Sequence, residues 1–170
     1  ILGAGRLTRQ KDFPTLIRAF AKLRETRAGR LIILGDGRQA TSLRALAAEL
    51  GVAEDLDLPG FTDNPYSYMA QAQLFVLSSR WEGSPNVLTE AMALGTPVVA
   101  TDCPSGPAEI LQKGRYGPLV PLGDWQALAT AMARVLDAPP DRDRLREAVR
   151  EYTVETSASH YLRLLGLEPA

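Results

Sequence analysis

Residues 80–100 read RWEGSPNVLTEAMALGTPVVA: a charged turn, a stretch of helical period, then an apolar segment rich in β-branched residues. Gly83, Ser84 and Pro85 interrupt any helix that precedes them, so Glu82 lies in a turn. The helix predicted after it spans 86–94, with Ser84 or Asn86 as its cap and Glu90 about one turn inside. A strand follows at 97–101. Turn, helix and strand in this order form half of a βαβ crossover, the connection that parallel strands require.

Outward from that stretch the same unit repeats. Apolar runs at 1–5, 31–35, 56–59, 74–78 and 118–121 read as further strands, short and apolar throughout, as expected of strands covered on both faces. Helical spacing recurs at 13–24 (Phe13, Leu16, Ile17, Phe20, Leu23) and at 41–50. Asp124 is placed to cap a helix over 125–136, and Pro139 with Pro140 prevents its continuation. Two Arg-rich helices are expected at 142–152 and 157–165. The fold class is therefore α/β, a Rossmann-like parallel sheet of about six strands flanked by helices, with extra helices at the C-terminal end. In such a sheet ligands bind at the carboxyl ends of the strands. The charged or Gly-rich turns GRLTRQKD, GDGRQ, GFTDN, SSRWEGSPN and TDCPSGPAE all fall on that rim.

Composition narrows the function classes. The 170 residues suit one domain, 1–170, and are 45% hydrophobic and 23% charged with a formal net charge of −1. That balance excludes disorder and gives no polyanion-binding surface, so nucleic acid is not an expected partner. One cysteine, Cys103, and one histidine, His160, can build neither an internal disulfide nor a zinc site. A cytoplasmic setting fits. No run approaches the roughly 18 apolar residues of a membrane span. The sequence opens at Ile1 on what reads as a buried strand, which suggests a piece of a longer protein.

Two groups of residues at the rim carry chemistry. The amino end of the 86–94 helix offers free N–H groups at Ser84, Asn86 and Val87, a ready anion site, since Pro85 has none to give. Arg6 directly follows Gly5, a substrate-binding candidate because glycine lets a ligand approach the backbone closely, and Lys11 stands at the mouth of the first helix. A planar guanidinium fork and a mobile ammonium suit a diphosphate and would stabilise the charge of one that departs. With Glu82 and Glu90 as acceptors beside them, the fitting ligand carries phosphates and several hydroxyls. A nucleotide sugar is such a ligand.

GRLTRQK, the Glu-x7-Glu pattern of EGSPNVLTE, GTPVVATDCPSGPAEIL and GRYGPLVPLGD resemble the C-terminal half of group 1 retaining glycosyltransferases, carbohydrate-enzyme family 4, of GT-B fold. The resemblance extends over nearly the whole chain. It implies that this domain binds a nucleotide-sugar donor, a UDP-sugar foremost, and that a separate N-terminal domain, missing here, binds the acceptor. Arg6 and Lys11 would contact the donor diphosphate, Glu82 the hydroxyls of the transferred sugar, and Glu90 the ribose. The backbone of Gly83 to Val87 would line the sugar and phosphate site, and Gly60 with Phe61 the base. Transfer would proceed with retention, with no protein nucleophile, no metal and no cofactor, the nucleotide sugar being a substrate. A membrane or lipid-linked acceptor would be reached through the absent domain, so the expected location is cytoplasmic or peripheral at the inner membrane face. Ser84 and Pro85 stand where many relatives carry a bulkier residue and Gly.

Other readings compete. GDGRQA, 35–40, has the form G-x-G-x-x-A of a dinucleotide fingerprint with Glu54 near the ribose position, which would make an oxidoreductase domain; its plainer reading is a tight turn. A nucleotide-sugar epimerase or a binding module shares the fold expectation. Asp55 and Asp57 imitate a metal-binding Asp-x-Asp but open a strand at the opposite rim, and Asp141 to Asp143 read as a helix start. His160 is expected at the surface, Cys103 packed, and Trp81 either shielding the donor pocket or, on the plainer reading, packed beneath it.

Overall fold

The computed structural model describes residues 1–167. Six strands form one sheet: β1 Leu2–Ala4, β2 Leu31–Leu34, β3 Leu56–Gly60, β4 Phe75–Leu77, β5 Val98–Thr101 and β6 Leu119–Val120. Every pairing is parallel, and the order is β3-β2-β1-β4-β5-β6. The helices are α1 Phe13–Arg24, α2 Ala40–Glu49, α3 Pro65–Gln71, α4 Asn86–Ala93, α5 Pro107–Ile110, α6 Trp125–Asp137, α7 Arg142–Ala148 and α8 Val154–Leu164.

The strands are apolar on both sides because both faces are covered. Leu31, Ile33, Val76 and Val99 point to one core with Leu16, Ile17 and Phe20 of α1, Leu43 of α2 and Leu128 and Met132 of α6. Their neighbours Leu2, Leu34, Phe75, Leu77 and Val98 point to the other, with Met69 of α3, Leu88 and Met92 of α4 and Leu145 of α7. The period-2 alternation of a strand thus sorts consecutive apolar residues into two separate cores.

Asp124 caps α6 as expected, accepting from Ala127 N at 2.9 Å, and Asp141 opens α7 by accepting from Arg144 N at 2.9 Å. Two helices lay outside the periodicity. In α3 only Met69 is buried, so no apolar stripe marks it, although Asn64 accepts from Ser67 N at 3.3 Å and Pro65 stands at its first turn. α5 is a single turn. The last helices are also shorter and longer, respectively, than the spacing predicts. α7 ends at Ala148, and α8 begins at Val154 because Thr153 caps it by accepting from Thr156 N at 3.1 Å.

The strand order positions the site. β1 lies beside β4, where the order in which strands are added reverses, the position at which sheets of this kind have their ligand crevice, between the loops at the carboxyl ends of the two strands.

Candidate functional site

The loops after β1 and β4 are stitched together across that crevice. Arg80 N donates to Gln10 O at 2.8 Å, and Ser78 Oγ to Lys11 O at 2.7 Å. Gln10 Nε2 donates to Trp81 O at 3.0 Å, and Arg80 Nε pairs with Asp12 Oδ2 at 3.1 Å. Asp12 is buried with a left-handed φ of 47°, which Asp tolerates better than most residues. Its carboxylate also accepts from Thr15 Oγ1 at 2.9 Å, so the start of α1 is locked to β4 by charge and hydroxyl together.

Glu82 sits at the centre of the stitch. Its Oε1 accepts from Lys11 Nζ at 2.6 Å and from Ser79 Oγ at 2.6 Å, while Gln10 Nε2 lies 3.4 Å from Oε2. Only 6% of the Glu82 side chain and 14% of the Lys11 side chain is exposed. Two charges this enclosed are tolerable because each answers the other and hydroxyl and amide donors complete the set. Gly5 makes room for the arrangement: a Cβ there would lie 2.7 Å from Lys11 Cε. The space expected for a ligand's approach to the Gly5 backbone is therefore taken by the stem of Lys11. Arg6, next along, is exposed and forms no ion pair among the described residues. The expected cationic clamp is thus divided: Lys11 is engaged with Glu82, and Arg6 stands free at the rim.

The amino end of α4 differs in detail from expectation. Pro85 occupies the cap position and no side chain caps the helix, because Ser84 Oγ turns to Asn86 Oδ1 at 3.3 Å. Asn86 N is taken by Ser84 O at 3.0 Å and Leu88 N by Pro85 O at 2.8 Å. The amides of Gly83, Ser84 and Val87 have no acceptor among the described residues and remain available to an anion, whereas that of Asn86 is not. Glu90 follows on the same helix, and burial pushes its carboxyl above its ordinary value. It lines a cavity of about 580 Å³ with Ser84, Asn86 and Thr89 on one side and Tyr152, Thr153, Val154, Ser157 and Ala158 on the other. Neither Arg6 nor Lys11 lines it.

Gly60 and Phe61 close the far side of the rim. Phe61 N donates to Asp36 Oδ2 at 3.0 Å, and Phe61 is 73% exposed. The adjoining GDGRQA turn serves packing. Gly35 has φ +124°, and a Cβ there would lie 2.2 Å from Gly5 O, so its glycine is demanded by the neighbouring loop rather than by a pyrophosphate. Leu7 N donates to Asp36 O at 2.8 Å, which closes the turn further. The tight-turn reading is the one the backbone supports.

Asp55 pairs with Arg24 at 2.7 Å and Asp57 with Arg30 at 3.0 Å. No group of three His, Cys, Asp or Glu side chains able to hold a metal occurs among the described residues. His160 is exposed and Cys103 is buried, as expected. Trp81 is 48% exposed and so is not packed beneath the pocket; its part in the stitch is its carbonyl, which accepts from Gln10 Nε2. Sequence reasoning also missed Ser79, Gln10 and Thr89. The only local signal for Ser79 was a pair of small polar residues closing an apolar strand.

Comparison with known proteins joins this geometry to a family. The model for glycosyl transferases group 1 matches residues 1–152. An N-acetylgalactosaminyltransferase of Campylobacter jejuni acting on a diphospho-undecaprenol-linked sugar is 37% identical over 150 residues, covering 88% of this chain and 40% of the relative. A lipopolysaccharide core biosynthesis glycosyltransferase of Rhizobium meliloti is 34% identical over 174 residues, covering 99% of this chain and 50% of the relative. Among solved structures, Anabaena HepE in complex with UDP superposes with a TM-score of 0.86 at 25% identity, over 97% of this chain and 48% of HepE. The galactosyltransferase WaaB of the lipopolysaccharide outer core gives 0.85 at 26% identity, over 96% of this chain and 48% of WaaB. The chain spans about half the length, or less, of the proteins it matches. A sheet of Rossmann order, a rim bearing Lys11, Glu82 and Glu90, and a family match over nearly the whole sequence lead to one conclusion: the chain belongs to the group 1 glycosyl transferases.

Proposed function

We propose that the chain binds a nucleoside diphosphate sugar, a UDP-sugar foremost, and supplies the donor half of a hexosyl transfer that retains anomeric configuration. The observation that carries this reading is the enclosed ion pair of Glu82 with Lys11 between the loops after β1 and β4, in the turn that leads directly into the amide-bearing start of α4. Arg6 and Lys11 meet the diphosphate, with the amides of Gly83, Ser84 and Val87 as further donors, and Glu82 takes hydroxyls of the sugar. Glu90, desolvated at the cavity wall, takes the ribose hydroxyls, which would answer a carboxylate now short of donors. Gly60 and Phe61 lie on the side of the base.

In the transfer, the acceptor oxygen bonds to the anomeric carbon as the bond from that carbon to the phosphate oxygen breaks. The departing phosphate oxygen takes the acceptor's proton. The charge left on the diphosphate is met by Arg6 and Lys11, so this reading requires neither metal nor cofactor. In this reading Glu82 is an acceptor for sugar hydroxyls and not the nucleophile.

The acceptor would be bound by a further domain of a longer protein. α8 suits contact with it: the helix has no buried residue, and Val154, Tyr161 and Leu164 are exposed. The Campylobacter relative's lipid-diphosphate acceptor supports a lipid-linked acceptor here, reached at the cytoplasmic membrane face. No helix among the described residues is long and apolar enough to cross a membrane.

The test is calorimetric titration of the chain, with thermal shift alongside, against UDP, GDP, ADP and their sugars. A ligand at about 100 times its Kd adds roughly 2.7 kcal/mol of stability. Saturable binding of UDP, tighter for one or more UDP-sugars, supports the reading. Silence toward every nucleotide overturns it.

A further inference from the structure

We propose that Ser79 is a positioning residue that fixes which oxygen of Glu82 faces the sugar. The inference rests on the donor-site reading above and deepens it. A carboxylate oxygen offers about two acceptor sites. Both sites of Glu82 Oε1 are filled, by Lys11 Nζ at 2.6 Å and Ser79 Oγ at 2.6 Å. Oε2 has a single distant donor, Gln10 Nε2 at 3.4 Å, at the limit of a hydrogen bond. Oε2 is therefore the oxygen with acceptor capacity to spare, and it is the one that receives a ligand hydroxyl.

Lysine alone would not impose this choice. Its ammonium is a mobile point charge that serves either oxygen equally and is drawn toward a diphosphate when one arrives. The Ser79 hydroxyl is of the opposite kind. It is fully buried, it sits three residues from Glu82 in the same turn, and its backbone carbonyl is pinned by Thr101 Oγ1 at 2.5 Å. Thr101 belongs to β5 and is itself fully buried, so the hydroxyl is referenced to the sheet rather than to a loop. When Lys11 turns to phosphate, Ser79 keeps Oε1 in place and Oε2 presented.

The experiment compares affinity for UDP with affinity for the UDP-sugar that the unmodified chain binds best, in the original chain, Ser79→Ala and Ser79→Cys. Cysteine matches the volume of serine closely but is a weak donor. The expected result is that both variants keep their Kd for UDP within about twofold and lose about tenfold of the additional affinity that the sugar confers, the size of one charge-assisted hydrogen bond. If Ser79→Cys retains the sugar-dependent gain, volume and not the hydroxyl is what matters, and the proposal fails. If both variants lose UDP and UDP-sugar affinity in parallel, Ser79 is merely structural, and the proposal fails likewise. If the original chain gains no affinity from any sugar, the donor-site reading and this inference fall together, whereas loss of the proposal through either variant leaves the donor reading intact.

Discussion

Replacing Lys11 by Met removes the charge that answers a nearly buried carboxylate while preserving the length of the stem that fills the space over Gly5. Breaking a buried pair by deleting one partner costs about 3 to 5 kcal/mol when the survivor is left wholly uncompensated. Here Glu82 keeps its 2.6 Å bond from Ser79, and the Lys11 side chain is 14% exposed, so the loss is smaller. The expected destabilisation is about 2 kcal/mol, a fall in Tm of roughly 4 to 8 °C for a domain of this size. Adding Glu82→Gln to Lys11→Met removes the stranded charge and should restore at least half of the loss. Urea unfolding followed by tryptophan fluorescence measures both, with Trp81 adjacent to Glu82 as a local reporter. A cost below about 0.5 kcal/mol for Lys11→Met, or a double variant no more stable than the single one, would show that the pair is solvated and that the enclosed charge is not a feature of the fold.

Three further outcomes follow from the same geometry. Arg6→Ala should leave stability unchanged, because the side chain is exposed and unpaired among the described residues, yet weaken UDP binding by about 1.5 to 3 kcal/mol in calorimetric titration. Glu90→Gln should raise Tm at neutral pH. Burial holds the Glu90 carboxyl above its ordinary 4.5, so ionised Glu90 costs stability that is absent below that value and present once pH rises through the raised one; equal Tm values for the two chains at pH 7 would refute this. Cys103 should react with a thiol reagent at pH 8 only as fast as the chain unfolds, since the side chain is 3% exposed and burial, together with the nearby charge of Glu82, raises its thiol; prompt stoichiometric labelling of the folded chain would contradict that.

The helices with an apolar stripe were legible because one local period decided them. α1 falls on the residues that Phe13, Leu16, Ile17 and Phe20 mark, and Asp124 caps α6 as its side chain suggests. α3 escaped because seven residues burying only Met69 carry no period to read. Site residues divided in the same way. Lys11, Glu82 and Glu90 announce themselves as charges in turns or at a helix start. Ser79, Gln10 and the Trp81 carbonyl do not, because a serine hydroxyl, an amide and a peptide oxygen acquire their meaning from partners 3 to 72 positions away.

By itself the sequence determined the class of fold and the rim on which ligands bind, since periods of 2 and 3.6 residues and the placement of Gly and Pro are local properties. It held no information that could be read locally on the order of the strands. Only the tertiary structure set β1 against β4, bringing Lys11 within 2.6 Å of Glu82 across 71 positions of chain. That contact exists because the sheet must bury both its faces and each crossover helix must lie on one of them, a requirement that the whole chain meets and no segment of it expresses.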